Sequence, residues 1–121
     1  MKNIFWLPLK PCCYSPMTGY FRDGYCRTDI SDSWSHTVCA IMTEEFLKFS
    51  KSRWNDLSTP MPQYGFPGLK AGDRWCLCAS RWQEAYEAGK APKVILESCH
   101  EKSLEYIDIN NLVEYGEKES I

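Results

Sequence analysis

No apolar run in this sequence approaches the ~20 residues that a membrane-spanning helix needs. The early stretch Ile4 to Leu7 is far too short for a signal peptide and stops at Pro8. Neither sign of charge dominates: a net charge of -2 leaves no electrostatic footprint for nucleic acid. Phosphate-cradling glycine motifs are missing, since neither G-x-G-x-x-G nor G-x-x-x-x-G-K-[ST] occurs. So are G-x-S-x-G and H-E-x-x-H. Histidine is scarce, limited to His36 and His100. There is no internal repeat. These absences lead to the expectation of a cytoplasmic protein with no membrane or nucleic-acid partner, its oligomeric state left open.

What is present is ordinary bulk with unusual accents. Hydrophobic residues make up 44% of the 121 residues and charged residues 25%, which suits one soluble domain. A chain of this size can bury roughly two thirds of its unfolded surface. Aromatics reach 14%, with five Trp, and rings this large are rarely all fully buried, so some are expected to line a cleft. Seven Cys is an odd number. With a reducing compartment expected, they read as thiols and not as a disulfide framework.

Residues 1–17, broken by Pro8, Pro11 and Pro16, read as an irregular lead-in. Residues 18–28 suggest a hairpin about Asp23-Gly24, a favoured type I′ pair. His36 to Met42 is an apolar run of strand length, and Thr43 then offers a helix N-cap followed by Glu44 and Glu45. Phe46, Leu47, Ser50 and Trp54 fall on one face of that helix, which should end near Arg53. A long connection over 55–74 contains Phe66-Pro67-Gly68-Leu69, a type II turn pattern. Trp75 to Ala79 reads as a central strand feeding a helix through a Ser80/Gln83 capping box. Trp82, Ala85 and Tyr86 form that helix's apolar stripe, and Gly89 suits the position after its end. Lys93 to Cys99 is a third strand, Asp108 caps a short last helix, and 116–121 is a frayed tail. The fold class is α+β, with α/β as the alternative: a small single-domain sandwich whose mixed sheet carries two main helices that follow strands.

Several blocks resemble a known family. Pro16-Met-Thr-Gly-Tyr-Phe-Arg-Asp-Gly, Ser35-His-Thr-Val-Cys-Ala, Asn55-Asp-Leu-Ser-Thr-Pro, Tyr64-Gly-Phe-Pro-Gly-Leu-Lys and Gly72-Asp-Arg-Trp-Cys-Leu-Cys-Ala are similar, in order, to domain of unknown function 2237. The resemblance runs from about Leu9 to Leu112. It implies a compact α+β fold and supplies no activity. Cys13, Cys99, Tyr25 and Trp54 depart from that family's pattern, with Trp54 standing where Gly is usual. The resemblance therefore counts against Cys13 and Cys99 as chemical groups.

The chemistry-bearing residues allow three functional readings, and none fixes a reaction. In the first, a cleft lined by Trp34, Trp75, Arg22, Arg74 and thiols binds a small polar or anionic metabolite, because guanidinium forks match carboxylate and phosphate. Were the two strand–helix units parallel neighbours, both helix starts would open on the same rim. In the second, Cys39 or Cys76 is a nucleophile with His36 or His100 as base, which requires hydrogen-bond reach between them. In a continuous strand His36 and Cys39 point to opposite faces, while Cys76 and Cys78 share one. In the third, exposed aromatics dock a protein partner. The bland alternative for each Cys is a buried small hydrophobe. Cofactors are left unknown: zinc could draw on Cys12, Cys26, Cys39, Cys76, Cys78 and the two His, but the spacings lack the paired pattern of structural zinc sites and disfavour it.

Overall fold

The computed structural model describes residues 1–117. It is a small α+β domain built on a mixed four-stranded sheet. The strands are β1 (His36–Ile41), β2 (Arg74–Cys78), β3 (Lys93–Ile95) and β4 (Gly116–Glu117), in the order β2-β1-β3-β4. β1 pairs antiparallel with both neighbours, and β3 pairs parallel with β4. The α-helices are α1 (Glu44–Ser52), α2 (Ala79–Glu87) and α3 (Ile109–Glu114).

β1 is buried from Thr37 to Ala40, which explains its unbroken apolar run: it has covered neighbours on both sides. It is an interior strand, as is β3. β2 lies at the sheet's edge, contrary to the central place expected for it. A bare apolar edge would invite pairing with another chain, but the 12–27 segment covers this one. Thr18 Oγ1 accepts the Cys76 N–H at 2.8 Å, and Cys26 is bonded to Cys76.

Thr43 caps α1 as expected, accepting the Phe46 N–H at 3.0 Å, and Phe46, Leu47 and Ser50 are buried. Trp54 is not on that face. It lies beyond the helix end and is 95% exposed, with a left-handed φ of 67°. The bonds Trp54 N–H to Lys51 O and Asn55 N–H to Ser50 O make this a Schellman end, which favours glycine at Trp54's position. α2 ends in the same motif on Gly89, φ 72°, with bonds from Gly89 to Tyr86 and from Lys90 to Ala85. Trp82 in α2 is fully buried. It stacks on Tyr86, meets Tyr115 edge-on and donates from Nε1 to Pro92 O at 3.1 Å. One ring thus ties α2 to the chain before β3 and to the end of α3.

Three other local expectations are corrected, and one stated condition is not met. Residues 18–28 form a looped turn rather than a hairpin. Arg22 N–H donates to Gly19 O and Tyr25 N–H to Asp23 Oδ1, the two N–H groups that would pair across an Asp23-Gly24 turn, and Arg22 is left-handed (φ 55°) while Asp23 is not. The Ser80/Gln83 capping box does not form, because Ala79 N–H donates to Ser35 O and the helix begins there, directly after Cys78. Among the described residues, Gln83 Oε1 is buried without a hydrogen-bond partner. β3 stops at Ile95 and gives way to a 3-10 turn over Leu96–Ser98. Finally, β1 and β2 are antiparallel, so α1 and α2 do not start on the same rim.

The lead-in is irregular but docked. Asn3 is buried, accepts from Phe5 and Leu7, and donates to Glu97 O at 3.2 Å. Gly116 and Glu117 belong to β4, and the remainder of the expected tail lies outside the described residues.

Candidate functional site

The β1–β2 ladder carries two cross-strand pairs of chemical interest. Cys39 faces Cys76, and His36 faces Cys78. Both register positions cannot belong to one regular ladder. Between His36 and Val38 the register shifts by one residue, so β1 uses an additional residue, Thr37, where β2 uses none. The bulge is held from outside the ladder. Thr37 O accepts from His100 N–H at 2.9 Å and from Ser103 Oγ at 3.1 Å, and Ser103 Oγ also meets Thr37 Oγ1 at 2.9 Å. Cross-strand partners share a sheet face. The bulge therefore overturns the parity argument that set His36 and Cys39 on opposite faces.

The two pairs meet different surroundings. At the inner pair the expectation of seven thiols fails: Cys39 is bonded to Cys12 and Cys76 to Cys26. All four are buried. The sulfurs of Cys12, Cys26 and Cys39 lie within 4.8 Å of one another, and Cys76 is bonded to one of them, so four sulfurs form one cluster. Topology causes this, by laying the lead-in and the 18–28 turn across adjacent strands. A sulfur in a disulfide is neither a thiolate ligand nor a nucleophile, so Cys39 and Cys76 are not poised for either role in this state. Cys13, Cys78 and Cys99 are free. Burial pushes the Cys99 thiol up to about 12, which suits an inert core residue.

At the outer pair a groove opens. It has two lobes, of about 200 and 440 Å³, that share His36, Leu57 and Trp75 as common wall. The smaller is lined by Trp34, Cys78 and Arg81, the larger by Tyr20, Arg22, Tyr64 and Phe66. Arg22 lies over the Trp75 ring at 5.3 Å, and Phe66 meets Trp75 edge-on. Four of the expected residues, Trp34, Trp75, Arg22 and His36, thus come together, and Cys76 edges the larger lobe. Arg74, at the start of β2, lies outside both linings.

His100 is not in the groove either. Its Nδ1 accepts the Lys102 N–H at 3.0 Å, and burial lowers its pKa, so it serves as a neutral cap. His36 is placed differently. Its Nδ1 lies 2.7 Å from Asp32 Oδ1, its ring stacks on Tyr20, and its N–H donates to Asp32 Oδ2 at 2.8 Å. The Asp32 side chain is fully buried and also accepts from Thr28 Oγ1 at 3.0 Å. A carboxylate at Nδ1 fixes the proton there and leaves Nε2 as the acceptor in the neutral ring. Cys78 is 6% exposed and occupies the N-cap position of α2. Its Sγ lies 2.8 Å from Trp34 O and 3.2 Å from Ser80 Oγ. Ser35, just before His36, is buried and left-handed at φ 54°, and its carbonyl accepts from both Thr37 and Ala79. Strain of this kind persists only where the surroundings hold it.

Sequence reasoning passed over Asp32 and Arg81 as site residues, and weighed Cys78 only as one half of a C-x-C pair with Cys76, a nucleophile with a resolving thiol. Asp32 had a signal, four residues before His36 in a loop of short polar residues. Cys78 had one too, as the last strand residue before a helix. What hid the pairing was the bulge.

The profile of one family, described as "uncharacterized protein conserved in bacteria (DUF2237)", matches residues 2–116. No curated protein matches the chain.

Proposed function

The chain belongs to the DUF2237 family, whose description carries no activity, and on that premise we propose that it binds a small polar or anionic metabolite in the two-lobed groove. The observation that carries this reading is the convergence of Arg22, Arg81, Trp34, Trp75 and His36 on one opening that spans two lobes with a common wall. Mostly apolar and aromatic walls with a few fixed polar groups are the usual make-up of a small-molecule site. Arg22 is spread over Trp75 with a left-handed backbone, and its planar fork suits a carboxylate or phosphate. Arg74 leaves the binding set, since it lies outside the groove.

The test is a thermal-shift screen of carboxylates, sugar phosphates and acyl thioesters. A ligand selective for the folded state raises the melting temperature, by about 2.7 kcal/mol of stabilisation at a hundred times its Kd. Arg22→Gly removes the fork while tolerating the backbone angle, and should abolish the shift without lowering the unliganded melting temperature. A shift that survives Arg22→Gly would move the anion site elsewhere. No shift from any class would favour a protein-docking role, for which the exposed Trp6, Trp34 and Trp54 are available.

A further inference from the structure

We infer that Cys78 is the nucleophile of an acyl-transfer site in this groove, with His36 as its base and Asp32 as the residue that positions His36. The inference rests on the groove being a ligand site and names the substrate class: an anionic ester or thioester. Three observations on different parts of the chain carry it. The bulge at Thr37 makes His36 and Cys78 direct ladder partners, and both line the same lobe. Directly opposed residues have Cβ atoms about 4.5–5.5 Å apart, a gap that an imidazole and a thiol can close. Asp32, buried and triply hydrogen-bonded, occupies His36 Nδ1 and turns Nε2 to the task of accepting a proton. Cys78 is the N-cap residue of α2, whose first-turn N–H groups have no partners within the helix. Those of Ser80 and Arg81 stand at its positive end, where a thiolate or an oxyanion gains stabilisation.

The resting thiol donates to Trp34 O. Reaction begins when that proton passes to His36 Nε2. The thiolate attacks the acyl carbon, a C–S bond forms and the bond from carbon to the leaving group breaks. The imidazolium returns its proton to the leaving group. Water then enters, His36 takes one of its protons as the hydroxide adds to the acyl carbon, the C–S bond breaks, and the imidazolium returns that proton to the departing sulfur, giving the carboxylic acid and the Cys78 thiol with His36 neutral again. Ester or thioester plus water thus becomes acid plus alcohol or thiol, with no oxidant or reductant. Asp32, Arg22 and Arg81 are charged groups around this path, with Glu84 paired to Arg81 at 3.3 Å.

The probes are iodoacetamide, read residue by residue by mass spectrometry, and p-nitrophenyl acetate. At pH 7 Cys78 should alkylate at least tenfold faster than glutathione, while Cys99 stays unlabelled. p-Nitrophenyl acetate should release one equivalent of p-nitrophenolate in a burst, leaving acetyl on Cys78. Cys78→Ser should remove both signals, and His36→Gln should slow both at least tenfold with the melting temperature preserved. Asp32→Asn, or Asp32→Glu should the first not fold, should move the midpoint of the pH profile of Cys78 alkylation. A Cys78 rate at or below glutathione's, or one indifferent to His36→Gln, overturns the inference. An unmoved midpoint removes Asp32 from it. The two readings fail separately: iodoacetamide needs only access to the thiol, so rapid labelling without any metabolite shift sinks ligand binding alone. A metabolite shift retained in Cys78→Ser beside a slow wild-type thiol sinks the nucleophile alone.

Discussion

Two cross-strand pairs in the same ladder, Cys39/Cys76 and His36/Cys78, stand a few residues apart and have opposite fates. The inner pair is capped by the lead-in and the 18–28 turn, and each member is bonded to a cysteine from above. The outer pair lies beyond that cover, at the end of β2, where the groove reaches it. Thiol chemistry depends on access and on the charge nearby. The same residue type is thus a staple at one position and, under the reading above, a nucleophile two residues on. The lesson is that a C-x-C pair on one strand face need not act as a unit.

The largest effect should come from breaking the inner pair. The two disulfides span 27 and 50 residues, and the chain-entropy relation gives each about 3.5–4 kcal/mol. Their loops overlap, so the two values do not add. Reduction, or Cys76→Ser, should lower unfolding stability by several kcal/mol in a denaturant titration. A thiol count on the unreduced, denatured protein should find Cys13, Cys78 and Cys99 alone. Seven thiols would remove the staple, and zinc bound beside them would replace it with a tetrathiolate centre on the same four sulfurs.

Loosening the bulge should come next. Ser103→Ala takes away one of two donors to the buried Thr37 carbonyl, which keeps the His100 N–H, so the loss is about 1.5 kcal/mol, the upper end for a neutral hydrogen bond. If the bulge is what aligns His36, Cys78 alkylation should also slow, while the disulfides persist. Unchanged alkylation would detach the bulge from the outer pair.

Trp54→Gly leaves both pairs alone and tests the scaffold beneath them. A left-handed non-glycine residue costs about 1–2 kcal/mol, and Trp54 is exposed with little to lose. The variant should therefore melt higher by roughly that amount. The smallest effect belongs to Asp56, just after the groove residue Asn55. Hydrogen bonds from Thr59 and Ser58 hold its carboxyl down to about 2 from the usual 3.8. A depressed carboxylate adds stability that is present above the unfolded value and fades as pH falls through the folded one. Asp56→Asn should thus flatten the stability profile slightly between about pH 4 and pH 2 and leave it unchanged in shape near pH 7.

Much of the scaffold was legible in local sequence. The Thr43 cap, the Trp82–Ala85–Tyr86 stripe, the Gly89 end and the Asp108 cap, which accepts from Asn110, each rest on interactions within a few residues. The failures do not share one cause. The Ser80 cap was locally plausible and lost to a distant partner, Ser35 O, whereas the 18–28 hairpin lost its turn bonds to Gly19 O and Asp23 Oδ1 close by. The site was half legible. Trp34, Trp75, Arg22 and His36 do line the groove, whereas Arg74 and His100 do not.

By itself the sequence determined the fold class, an apolar strand beginning at His36 and the two strand–helix steps, because hydrophobic period, caps and turn residues act over a few bonds. The tertiary structure alone decided which cysteines are joined and which is left at an opening, that β2 is an edge, and that His36 faces Cys78. That last contact depends on one additional residue in a ladder, held by a carbonyl bonded to His100 and Ser103. No local pattern encodes a register fixed by groups more than sixty positions away.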